Sequence, residues 1–215
     1  MAQEGVIKFK LDFTLENPLP EDRLKEITAW RKLLFMLRLI GQDPARYGGF
    51  GFGNISNRIA PWDSPPNQRR FIISGTQTGG LPDLGPRHYT LVRECHWQEN
   101  RVVAEGPVPP SSESLTHGTL YAMDDSIRFV IHVHSPEIWR NAGQLQIPVS
   151  APEVAYGTPE MAEEILRILG DPIPRSKGIL AMGGHEDGVV TFGRTAAEAG
   201  TCLIRYLALA YQATA

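Results

Sequence analysis

The residues best suited by type and spacing to do chemistry are two histidines in residues 129–135, FVIHVHS. The alternation puts Phe129, Ile131 and Val133 on one face of an expected strand and Val130, His132 and His134 on the other. Imidazoles two residues apart stand roughly 6–7 Å apart at the backbone. That is close enough to converge on one ion at about 2 Å per metal–nitrogen bond. Two imidazoles do not make a site, so the pattern asks for a third ligand, a base and a substrate pocket. The other histidines are His88, His96, His117 and His185. His185 follows Gly183 and Gly184 at the end of an expected strand, where the glycines would leave room around it. Three neutral imidazoles with an open fourth position are a donor set of catalytic zinc. His117 lies four residues after Glu113 on one helix face, as core packing or as support for a ligand.

Composition narrows the classes of function. With 215 residues, 42% hydrophobic and 21% charged, the chain reads as one ample domain, 1–215, with 1–20 as an N-terminal arm. A formal net charge of −3 gives no basic footprint, so nucleic acid is not an expected partner. Two cysteines cannot frame a disulfide scaffold, and a reducing cytoplasm is the expected setting. The opening MAQEGVIKFK lacks the pattern of a signal peptide. The longest apolar run, 33–40, is interrupted by Arg38 and falls short of the ~20 residues of a membrane span.

The elements that must position these residues follow from periodicity. Ile7, Phe9, Leu11, Phe13 and Leu15 alternate with polar residues, as in a strand packed on the body or on another subunit. Leu24, Ile27, Trp30, Leu34, Leu37 and Ile40 recur at helical spacing until Gly41 and Pro44. Residues 48–57, GGFGFGNISN, are a tight loop entering a strand or a close approach to a ligand, without the context of a dinucleotide fingerprint. Phe71, Ile72 and Ile73 form a short strand that runs into a second loop, 74–80, SGTQTGG. Residues 95–97 and 101–104 read as a hairpin. Ser111 or Ser112 suits the N-cap of a helix over 113–123, with Glu113 in its first turn, and capping alone would explain all three. Thr158 and Pro159 open a further helix ended by Gly170. Strands are expected over 179–182 and 189–192, and Thr195 with Glu198 opens a C-terminal helix. Strands alternating with helices indicate an α/β sandwich.

The order of Gly53-Asn54-Ile55-Ser56, the 74–79 loop, Pro110-Ser111-Ser112-Glu113, His132-Val133-His134-Ser135 and a late His185 resembles the class II aldolase/adducin family over about 23–210. A cupin barrel, the other common home of an H-x-H strand, fits poorly because Glu137 follows too early and strong helices flank the motif. The resemblance implies a three-layer α/β/α sandwich with a central mixed, largely antiparallel sheet. It implies a divalent metal, zinc being expected, on His132, His134 and His185, with Glu113 as catalytic acid/base. Gly53, Asn54, Thr76, Gln77, Thr78, Gly79, Ser111 and Ser112 would bind substrate or its phosphate. It also implies a homotetramer acting on a small sugar or hydroxy-carbonyl compound, with no membrane partner. The implied reaction is aldol cleavage of a phosphorylated ketose through a metal-stabilised enediolate. Decarboxylation, dehydration or epimerisation at the same metal are alternatives, as is a non-catalytic adducin-like interaction module. Two departures stand out. Glu186 and Asp187 separate His185 from Gly188, and the short segment 147–157 offers only Tyr156 where the family's aldolases carry a tyrosine proton donor.

Overall fold

The two-residue period of the FVIHVH stretch is satisfied at the centre of a sheet covered on both faces. The computed structural model describes residues 5–214. Its strands are β1 (Lys10–Leu15), β2 (Gly41–Gln42), β3 (Gly51–Phe52), β4 (Asn54–Arg58), β5 (Phe71–Ser74), β6 (Tyr89–His96), β7 (Arg101–Gly106), β8 (Phe129–His134), β9 (Ile179–Ala181) and β10 (Gly188–Gly193). Its helices are α1 (Lys25–Met36), α2 (Ser114–Met123), α3 (Pro136–Arg140), α4 (Pro159–Leu169), α5 (Pro172–Ser176) and α6 (Ala196–Ala213). Eight strands form one sheet in the order β1-β7-β6-β5-β4-β8-β10-β9, and β2 pairs with β3 beside it. Only the β1·β7 pairing in the main sheet is parallel, so the sheet is mixed and largely antiparallel.

Each face of β8 belongs to a different core. Phe129, Ile131 and Val133 pack with Leu24 just before α1, Ile27 and Leu34 of α1, Ile138 of α3 and Leu203 of α6. On the opposite face, Val130 packs with Leu115 and Leu120 of α2 and Met161, Ile165 and Leu169 of α4. Helices thus cover both faces, giving the expected three-layer α/β/α sandwich. Every residue of β8 is buried, which leaves His132 and His134 inside the layer between sheet and α2/α4. Among the described residues no helix is long and apolar enough to cross a membrane.

Two local expectations are corrected. The first helix ends at Met36 rather than reaching Ile40. Arg38 takes a left-handed conformation (φ 58°), and the N–H groups of Arg38 and Leu39 return to the carbonyls of Phe35 and Leu34. That double cap turns Leu39 and Ile40 into the core without further helix. The N-cap of α2 is Glu113 itself, not Ser111 or Ser112. Ser111 instead accepts the Glu113 N–H through Oγ (3.3 Å), and its carbonyl takes the Ser114 N–H. The first strand is in register with β7 of its own sheet from Lys10 to Leu15. Residues 1–4 of the expected arm lie outside the described residues.

Candidate metal centre

The strand β8 delivers two imidazoles and the turn after β9 delivers the third. The rings of His132 and His134 are 5.2 Å apart at their centroids, those of His132 and His185 5.0 Å, and those of His134 and His185 4.6 Å. One nitrogen from each lies within 4.8 Å of the others, and all three side chains are buried. The turn is shaped by close approach. A Cβ on Gly188 would come within 3.1 Å of the His185 ring, so this glycine makes space for the imidazole. Gly183 and Gly184, expected to do so, instead let the backbone of Ser150 and Val154 press against the turn.

Glu113 enters from the N-terminus of α2, with Oε1 3.4 Å from His185 Nδ1 and 4.0 Å from His132 Nε2. It is 1% exposed. Burial holds the His132 imidazole well below its usual range, with the neighbouring His185 and His117 adding to the effect and the Val189 backbone offsetting a little. His134 is lowered likewise, first by burial, then by His185, His132 and Arg46. Neutral imidazoles are the metal-binding form. Both ring nitrogens of His132 are buried without a well-formed hydrogen bond among the described residues. An imidazole so placed fits a cation's ligand set, because a buried polar group otherwise lacks compensation. His117 is not part of the cluster. Its Nδ1 bonds the Ser56 hydroxyl (2.6 Å), which also bonds Tyr121 (2.7 Å), and burial lowers its pKa to about 3.

The remaining expected site residues divide into two groups. Asn54 stands opposite His132 in the β4·β8 ladder, and its Oδ1 is buried without a partner among the described residues. Gly53 has φ 77°, and a Cβ there would meet Ile40 at 2.8 Å and the His132 carbonyl at 3.1 Å, so the chain can turn into β4 only with glycine. A Gly75–Pro110 bridge sets the 76–79 loop beside buried Ser111 and Ser112. Within that loop the Thr78 hydroxyl donates inward to the Gly75 carbonyl (2.7 Å). Thr76 and Gln77 turn the other way and reach the Gly5 carbonyl, both at 3.4 Å.

The sequence assigned no place at the site to several residues of the surroundings. Tyr156, 1% exposed, stacks on His185 at 4.5 Å between centroids. Lys8 Nζ sits 3.2 Å from the Tyr156 ring centroid and donates to the Tyr156 carbonyl (3.0 Å). On the far side Tyr47 meets the His134 ring edge-on at 4.3 Å, and its hydroxyl donates to Asp187 (2.7 Å). Arg46 also donates to Asp187. The inserted Glu186-Asp187 pair was the visible signal of this brace; nothing local marks Tyr47 or Lys8. A cleft of about 880 Å³ opens beside it, lined by Arg38, Gln42, Arg46, Tyr47 and Phe52, and reaches the cluster only at His134.

Comparison with known proteins agrees with this architecture. The structure is similar to L-fuculose-1-phosphate aldolase from Thermus thermophilus (TM-score 0.62, 20% identity, 88% of this chain and 91% of that one). It is similar to a sugar-phosphate aldolase from Thermotoga maritima (TM-score 0.66, 16% identity, 89% and 93%). YgbL of Escherichia coli, described as a putative aldolase/epimerase/decarboxylase, aligns with TM-score 0.64 at 15% identity, over 89% and 88%. At such identities these likenesses speak for the fold. None of the curated proteins matches the chain. The family model described as "Class II Aldolase and Adducin N-terminal domain" matches residues 43–213. That span holds the histidine cluster, Glu113 and most of the sheet, and the chain therefore belongs to the class II aldolase and adducin family.

Proposed function

We propose that this protein is a divalent-metal-dependent aldehyde-lyase that opens a carbon–carbon bond in a small hydroxylated, phosphorylated ketose-type substrate. The observation that carries the reading is the convergence of three buried imidazoles with one buried carboxylate. His132, His134 and His185 would hold the ion, and three nitrogen donors with an open position suit zinc. A metal bound there supplies Lewis-acid polarisation of a substrate carbonyl. Glu113 lies beside two of the imidazoles and would hold or move the proton at the carbon next to that carbonyl. Gly53, Asn54, Ser111, Ser112 and the loop of Thr76, Gln77, Thr78 and Gly79 would receive the phosphate.

The description of the Thermus thermophilus structure as an L-fuculose-1-phosphate aldolase supports the substrate class. Free Cys95 and Cys202 support a reducing, cytoplasmic setting. Exposed Met36, Leu37 and Tyr211 support contact between subunits of a homotetramer. A screen of ketose 1-phosphates for aldehyde release by the metal-loaded protein tests the reading. Release is expected from the wild type and should fall about 10²–10⁴-fold in Glu113→Gln, the usual span for loss of a general acid or base. Stoichiometric metal without aldehyde release would move the assignment to decarboxylation, dehydration or epimerisation, the range that the YgbL description spans. Absence of stoichiometric metal would leave the non-catalytic interaction module.

A further inference from the structure

A buried cation lies behind the 76–80 loop. Arg31 of α1 is 1% exposed, and its guanidinium meets backbone carbonyls. Nη2 donates to Thr78 O (2.9 Å) and Gly79 O (2.8 Å), and Nη1 donates to Pro82 O (3.2 Å). Asp83, the carboxylate next along the chain, forms a surface pair with Lys32 at 2.6 Å. Carbonyl dipoles take three of its N–H donors, and the carboxylate that acts on its charge, Asp83, is exposed to water and shared with Lys32. A buried charge in that condition favours an anion nearby.

The same contacts orient the loop. In a trans peptide the C=O and the following N–H point in opposite directions. Anchoring the carbonyls of Thr78 and Gly79 on Arg31 therefore turns the N–H groups of Gly79 and Gly80 away from it. Neither N–H meets an acceptor among the described residues. Both nitrogens lie close to the point that a Cβ on Gly51 would occupy, Gly80 N at 3.1 Å and Gly79 N at 3.2 Å. Consecutive amides turned to one side are the donor set of an anion-binding nest, and a methyl group at position 51 would crowd both of them.

We infer that Arg31 is a positioning residue that builds this nest from behind and sets its preference for a doubly charged phosphate ester. The inference rests on the reading of the 76–79 loop as phosphate-binding and adds the residue that gives the loop its charge and shape. Arg31 touches no substrate in this arrangement; it acts through the two peptide groups. Inorganic phosphate titrated into the ¹⁵N-labelled full chain is the test, followed through the amide resonances.

In the wild type the Gly79 and Gly80 amide protons are expected to shift downfield and saturate, with a weaker response to acetate. Arg31→Met should weaken phosphate binding at least tenfold and abolish those two shifts. Arg31→Lys, which keeps the charge but loses the planar fork, should fall between. Gly51→Ala should weaken binding with Arg31 in place. If Arg31→Met does not fold, Arg31→Lys and Gly51→Ala carry the test. Equal Gly79 and Gly80 shifts in the wild type and the Arg31 variants would overturn the inference, as would no response of these amides in the wild type. The titration needs neither metal nor turnover. Arg31-dependent phosphate binding without lyase activity would thus retain this inference and remove the proposed reaction, and the converse result would do the opposite.

Discussion

Tyr47→Phe removes one hydroxyl from the brace behind His134 while leaving the aromatic ring in place. The lost group donates to the Asp187 carboxylate at 2.7 Å, and Asp187 is 1% exposed. A hydrogen bond to a charged group contributes about 1.5–3 kcal/mol. Tyr47 is half-buried, so water recovers part of the loss on its side, whereas the Asp187 oxygen keeps only Arg46 and cannot be rehydrated. The balance gives about 2 kcal/mol, a fall in Tm of about 4–8 °C at this chain length. In an Asp187→Asn background the same substitution should cost about 1 kcal/mol less, because the acceptor is then neutral. Urea titration of the four proteins of the double-mutant cycle measures this coupling. Metal content should be unchanged in Tyr47→Phe, since the ring still abuts His134. A loss below about 0.5 kcal/mol with no coupling would refute the claim that this network is a brace.

Other consequences can be checked on the same material. Metal at a hundred times its dissociation constant should add about 2.7 kcal/mol of stability, seen as a rise in Tm that chelation reverses. The combined His132→Ala and His134→Ala variant should show no such rise. Gly188→Ala, which drives a Cβ to 3.1 Å from the His185 ring, should lower metal affinity about tenfold, in the range seen for disturbed ligand supports, as measured by chelator competition; unchanged affinity would contradict the packing described. His117 has a folded pKa of about 3 against an unfolded value near 6.5. Between those values only the unfolded chain takes up that proton. Stability from this group is therefore complete above about pH 6.5 and is lost as pH falls toward the folded value, at about 1.4 kcal/mol per pH unit. His117→Gln should flatten the acid limb of stability against pH, and an unaltered limb would show that His117 is protonated in the fold.

Much of the site was legible because strand periodicity is a local property. FVIHVH assigned its faces without reference to anything distant, and β8 divides its residues between two cores as that alternation requires. The place of His185 behind two glycines offered it as a third imidazole, but Glu113 and His185 were tied to His132 only through the order of motifs, since 19 and 53 residues separate them from it. The end of α1 was not legible, because Arg38 adopts a conformation that glycine more often supplies and Ile40 kept the helical period past the true stop. The roles of the glycines were exchanged for a similar reason. Whether a missing Cβ serves a histidine or a neighbouring backbone depends on what lies opposite, and sequence does not say.

The sequence alone determined the sandwich class, the two imidazoles sharing a face and the order of pieces that marks the family. Each of these follows from side-chain alternation or from residue types at fixed spacing, which the covalent chain carries with it. Only the tertiary structure decided that His185 closes the triad within 4.8 Å, that Tyr156 and Tyr47 flank it and that Arg31 stands behind the 76–80 loop. These are contacts between residues 29 to 87 positions apart, such as Tyr156 with His185 and Tyr47 with His134. Their formation depends on how the sheet orders its strands and how the two helical layers close on it, and no local period encodes that.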